Sequence, residues 1–95
     1  MPIHRSPASS YAMELARLLL AKGEGEEAGT MAARAVAVSP YDASVREFAA
    51  TMALQRKDFA EAERHVRALV ALEPDREIHA KRLEALLKMK PATPK

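Results

Sequence analysis

The chain has 95 residues, fifteen Lys plus Arg against thirteen Asp plus Glu, a net charge of +2, and no Cys. That length makes one domain at most, the missing Cys removes disulfides, thiolate nucleophiles and Cys-based metal sites, and the near-neutral balance argues against bulk electrostatic binding to nucleic acid or anionic membrane. Ala (20) and Leu (10) supply nearly a third of the residues while Val plus Ile number only 7, so an all-α fold is expected.

Residues 1–8 hold Pro2 and Pro7 and read as a flexible tail. They contain no apolar stretch of the kind a signal peptide needs. The longest aliphatic run, Leu18-Leu19-Leu20-Ala21, is far shorter than the ~18–20 apolar residues of a membrane span, so a cytoplasmic protein is expected.

Five helical segments of roughly 12–16 residues follow. The first puts Tyr11, Ala12, Leu15, Leu18 and Leu19 on one side and ends at Gly23-Glu24-Gly25. The second repeats Ala28, Met31, Ala32, Ala35, Val36 and Val38 and ends at Ser39-Pro40-Tyr41. Asp42 is placed to cap the third, which carries Val45, Phe48, Ala49, Met52 and Ala53. Asp58-Phe59-Ala60-Glu61 has the form of a capping box, with Asp58 accepting from the third backbone N–H and Glu61 reaching back. The fourth segment then carries Ala62, Val66, Leu69, Val70 and Leu72. After Glu73-Pro74, Asp75 is the expected cap of the fifth, which carries Ile78, Leu83, Leu86, Leu87 and Met89. Residues 91–95 begin and nearly end with Pro and read as a second flexible tail. Glu63/Arg67, Glu77/Lys81 and Glu84/Lys88 stand four apart with Glu first, the favourable order on a helix surface.

Motifs for chemistry are missing. Gly23-Glu24-Gly25-Glu26-Glu27-Ala28 reads G-x-G-x-x-A, but no strand precedes it and three Glu would repel a pyrophosphate. His65 and His79 lie fourteen apart with no metal-ligand spacing and read as exposed helix-surface imidazoles. Met13, Met31, Met52 and Met89 read as filler of an Ala-rich core, with a pliable binding surface as the alternative. Neither a catalytic role nor a cofactor is expected.

The segments repeat. The spacing from Pro40 to Pro74 is also the spacing from Ala16 to Ala50, Leu20 to Leu54, Ala28 to Ala62 and Val36 to Val70. Residues 9–42 and 43–76 are therefore two copies of one helix–turn–helix unit, followed by a last helix over 77–90. This resembles the tetratricopeptide repeat family, whose period of about 34 residues is the spacing seen here. The resemblance rests on the small residue Ala16 or Ala50, the turn ending in Ala28 or Ala62, and the closing Pro40 or Pro74. It departs from the family where the usual first-helix Trp is Ala12 and Arg46, and where the loop aromatic, Phe59 in one copy, is Gly25 in the other.

The resemblance implies a TPR-like right-handed α-α superhelix of five helices with a capping helix at 77–90. It also implies a concave groove that binds a peptide or helix of a partner protein. Met13, Arg17 and Leu20 would stand there from the first helix, Glu47, Thr51 and Gln55 from the third, and Ile78, Lys81 and Arg82 from the last. Lys81 and Arg82 sit where the last basic pair of the family's carboxylate clamp falls, which points to an acidic partner; the clamp's Asn is absent, since the chain has none. Two repeats plus a cap lie below the three or so usually needed for stability. Self-association through Leu83, Leu86 and Leu87 is therefore a second expectation. The expected function is a small adaptor or scaffold; a secretion-type chaperone and a C-terminal repeat piece of a larger protein are the alternatives. The last helix is cationic through Arg76, Lys81, Arg82, Lys88 and Lys90, but a solvated face is favoured over nucleic-acid binding, and no membrane partner is expected.

Overall fold

Five α-helices occupy residues 7–89, the part of the chain that the computed structural model describes, and no strand occurs among these residues. They are α1 (Pro7–Ala21), α2 (Gly25–Val38), α3 (Ala43–Gln55), α4 (Phe59–Leu72) and α5 (Glu77–Met89). The tails expected at 1–8 and 91–95 fall outside the described residues, except that Pro7 and Ala8 belong to α1. Pro is well placed there, because the first helical position has no use for its missing N–H.

The structure keeps the sequence period. Shifting the bounds of α2 by the spacing from Pro40 to Pro74 gives the bounds of α4, and the C-terminal ends of α1 and α3, though not their starts, are related in the same way. The turns repeat as well. Gly23 sits at φ +84, with Gly23 N–H on Leu20 O and Glu24 N–H on Leu19 O. Lys57 sits at φ 61, with Lys57 N–H on Leu54 O and Asp58 N–H on Ala53 O. Both are left-handed C-terminal caps that satisfy the last carbonyls of the helix.

The N-terminal caps form in part. Asp42 accepts from Ser44 N–H at 2.9 Å and Val45 N–H at 3.4 Å. Asp58 accepts from Glu61 N–H at 3.1 Å, but Glu61 does not return the bond. Its carboxylate bonds Arg64 and His65 instead, and Asp58 N–H is held by Ala53 O. Asp75 lies in the turn before α5, whose start is set by Arg76 N–H on Glu73 O and His79 N–H on Arg76 O.

Packing joins neighbours in the chain: α1 to α2, α2 to α3, α3 to α4 and α4 to α5, with a lighter contact of α1 on α3. Three small clusters fill the seams. Ala12, Met13, Ala35 and Val45 form one; Ala16, Ala28, Ala32 and Met52 form the next; Ala50, Ala53, Ala62, Val66 and Leu86 form the last. Alanine dominates, so the helix backbones can approach closely and stabilisation comes from many small contacts. A hydrogen bond between Ser39 Oγ and the buried Ser9 Oγ, at 3.1 Å, ties the end of α2 to the start of α1.

Some apolar residues face the other way from the expectation. Tyr11 is 71% exposed and Leu18 55%, because α1 buries Ser9, Ala12, Met13 and Ala16 instead. Met89, read as core filler, is also exposed. His65 and His79, read as surface imidazoles, are each only 2% exposed. Both take partners from the turns and helices around them.

Candidate functional site

Helix α3 presents Ser44, Glu47, Phe48, Thr51 and Gln55 along one side, at the three- and four-residue spacing that shares a helix face. Arg17, Leu20 and Ala21 of α1 close the opposite wall. The two rows enclose an open groove of about 700 Å³, with Met52 at its base. The Arg17 guanidinium lies over the Phe48 ring, 5.0 Å from its centroid, and bonds Glu14 at 3.3 Å. Cation and ring attract one another electrostatically, so Arg17 is held along the groove wall. Thr51 Oγ1 donates to Glu47 O at 3.0 Å, leaving its oxygen as an acceptor.

A second hollow of about 310 Å³ lies between α3 and α5, lined by Ser44, Glu47, Leu69, Glu73, Arg76, Ile78, His79 and Arg82. Glu47 and Ser44 belong to both, so the hollows adjoin along α3. At the junction Arg82 Nη1 donates to Glu47 Oε2 at 2.6 Å. Deeper in, His79 Nε2 bonds Glu73 Oε1 at 2.7 Å, and its Nδ1 is buried with no hydrogen-bond partner among the described residues.

Next to this region lies a polar string inside the α3–α4 seam. Arg46 Nε donates to Pro40 O at 2.9 Å, and Arg46 Nη1 meets His65 Nδ1 at 3.1 Å. Guanidinium is a donor only, so Nδ1 accepts and Nε2 carries the proton. Nε2 then donates to Glu61 Oε2 at 2.9 Å. Burial holds the His65 pKa below its ordinary value of 6.5; Glu61 pulls upward against this, and the Arg46 and Arg64 charges add to the lowering.

Of the residues expected in the groove, Arg17, Leu20, Glu47, Thr51 and Gln55 line it. Ile78 and Arg82 line the neighbouring hollow. Met13 does not reach the surface, since it is buried against Ala12, Ala35 and Val45. Lys81 lines neither hollow and points to Glu77, 4.0 Å away. The expected self-association face is divided. Leu86 is 4% exposed in the core, Leu83 packs against that core, and only Leu87 is open, at 45%. Phe48, Glu73 and His79 line the hollows although none was expected there. For Phe48 the signal was present: it is four residues after Ser44, on the same face.

Among the described residues no helix is long and apolar enough to cross a membrane. No protein-family model, curated protein or solved structure matches this chain.

Proposed function

We propose that this chain is a small tetratricopeptide-like adaptor, working in the cytoplasm, that holds a short segment of another protein against α1 and α3. The fold reading, a right-handed superhelix of two hairpins and a cap, is supported by the single repeat offset that relates the helix bounds. The functional reading is carried by one observation: Arg17, Leu20, Glu47, Phe48, Thr51 and Gln55 converge from two helices on one open groove. Its volume is within the roughly 300–1,000 Å³ usual for ligand sites. Leu20, Phe48 and Met52 offer an apolar floor, and the polar side chains above them can orient a peptide.

The partner's chemistry follows from the charges. Arg82 is tied to Glu47, and Lys81 is outside the groove. Arg17 is the exposed cation of the groove wall, so a partner carboxylate is read at Arg17 beside an apolar side chain seated on Phe48. The groove binds and orients; no reaction is assigned to it.

Selection from a displayed peptide library on the wild-type chain tests this. Enriched peptides should combine an apolar residue with a neighbouring acid. Calorimetric titration should show them at least about tenfold weaker on Arg17→Glu and on Thr51→Arg, and unchanged on Glu84→Gln, which is exposed on α5 and lines neither hollow. Enriched peptides indifferent to both groove changes would sink the proposal.

A further inference from the structure

Arg46 and His65 break the repeat. At steps of one repeat they are equivalent to Ala12 and Met31, apolar residues of the first hairpin. There Ala12 is buried and Met31 packs against the core. The second hairpin seats a guanidinium and an imidazole at the same two places, with His65 buried. Buried polar groups cost stability unless each is bonded, and the first hairpin is built without them. Here each is bonded. The string runs from Pro40 O to Arg46, from Arg46 to His65 Nδ1, and from His65 Nε2 to Glu61.

One end of this string lies at the junction of the two hairpins. α1 packs on α2, and α3 on α4, more extensively than α2 packs on α3. Between the hairpins the chain runs through the turn at 39–42. Ser39 belongs with the first hairpin, through its bond to Ser9. Pro40, the next residue, is held to the second by Arg46 at 2.9 Å. The backbone bond from Asp42 N–H to Ser39 O is longer, at 3.3 Å. At the far end of the same seam the Arg56 guanidinium lies against Gly29 of α2, so close that an added Cβ there would meet Arg56 Cζ at 2.8 Å.

We propose that Arg46 and His65 are an acid-released latch between the hairpins: a second proton on His65 frees Arg46 from Pro40 and lets α1–α2 pivot on α3–α4. The charges acting on His65 are Glu61 and Arg64 of its own helix and Arg46 of α3; α5, the other helix packed on α4, supplies none of these. The added proton goes to Nδ1, since Nε2 already donates to Glu61. Two donors of like charge then face each other at 3.1 Å. Glu61 retains the imidazolium, and burial leaves His65 no path outward. Arg46 is only half-buried, so it is the group that leaves. Its guanidinium is a rigid plane, so Nε moves with Nη1 and the bond to Pro40 O is lost. The Arg56–Gly29 contact is untouched, which makes the motion a pivot and not a separation. Burial and Arg46 both disfavour the charged imidazole, so the latch is closed at neutral pH. The groove walls come from α1 and α3, one on each hairpin, so the groove changes width with the pivot.

The latch does not depend on what the groove binds. The chain has no Cys, so Ala37→Cys on α2 and Ala71→Cys on α4, both exposed, take spin labels at equivalent positions of the two hairpins. Their distance distribution, read by pulsed electron paramagnetic resonance, should be narrow at about pH 7.5 and should shift and broaden reversibly by about pH 5, with unchanged far-UV circular dichroism. His65→Asn, which accepts from Arg46 but does not titrate, should keep the narrow distribution at both. If His65→Asn loses helicity, Arg46→Ala serves in its place, matching the first hairpin, and should give the broad distribution at both. A folded wild-type chain with one distance throughout overturns the proposal. So does an acid shift that survives in the folded variant, or one that comes only with loss of helical signal.

Discussion

The Arg46 side chain reaches from α3 to α4 and places a guanidinium N–H 3.1 Å from Nδ1 of His65, while the opposite ring nitrogen meets Glu61 at 2.9 Å. An imidazole held this way has no room for a second proton, since that proton would face the arginine. The lowered His65 pKa is therefore a statement about stability as well as charge.

The sign follows from the depressed value. The unfolded chain takes up a proton near 6.5 while the folded one resists it. The stability from neutral His65 is fully present above that pH and is lost as pH falls through the folded pKa. The melting temperature should drop between pH 7 and pH 5. His65→Asn, which keeps an acceptor toward Arg46 but does not titrate, should flatten the drop. Equal slopes for both proteins would refute the assignment.

The two left-handed caps predict opposite mutational signs. Lys57 adopts φ 61 with a side chain, whereas Gly23 adopts φ 84 without one. Lys57→Gly should stabilise by about 1 kcal/mol, and Gly23→Ala should destabilise by about the same, both read from urea unfolding midpoints. No atom lies within 4 Å of a Cβ added at Gly23, so the cost there is conformational and not steric.

Leu86 and Leu87 are neighbours in sequence and opposites in environment. Leu86→Ala should cost about 2–5 kcal/mol through the lost contacts with Ala50, Ala53, Ala62 and Val66. Leu87→Ala should stay within about 0.5 kcal/mol, the range for surface positions. Denaturant titration of the pair decides it.

The Glu47–Arg82 bond joins residues 35 apart in sequence. Both side chains keep some solvent contact, so the pair is worth at most about 1 kcal/mol. A double-mutant cycle with Glu47→Gln and Arg82→Gln should return a coupling of that size. A coupling of zero would mean that the two helices are held at this point by packing alone.

What could be read from the sequence was local or periodic. The repeat offset, the five helices and the cap at Asp42 depend on residue spacings along the chain. The setting of His65 depends on Arg46, reached across the α3–α4 seam, and that of His79 on Glu73, reached across a turn; only Glu61, four residues before His65 on α4, lies within local spacing. The fate of Arg82 depends on Glu47, two helices away. Side-chain size misled for α1, where Tyr11 and Leu18 look like core while Ala12 and Ala16 do the packing. A helical period shows that apolar faces exist but does not choose between two of them. For the groove, the resemblance to tetratricopeptide repeats, not spacing alone, pointed to Arg17, Leu20, Glu47, Thr51 and Gln55, which do line it; Met13 was misplaced because it packs against Ala35 of α2 and Val45 of α3, contacts that no local spacing reveals.

Because helices touch chiefly their neighbours in the chain, the molecule has no single keystone. α5 is held by α4, whereas α3 is held on both sides. Opening should therefore begin at the C-terminal end and run inward, one helix at a time. Amide protons of α5 should exchange with solvent deuterium fastest among the helices, and those of α3 slowest.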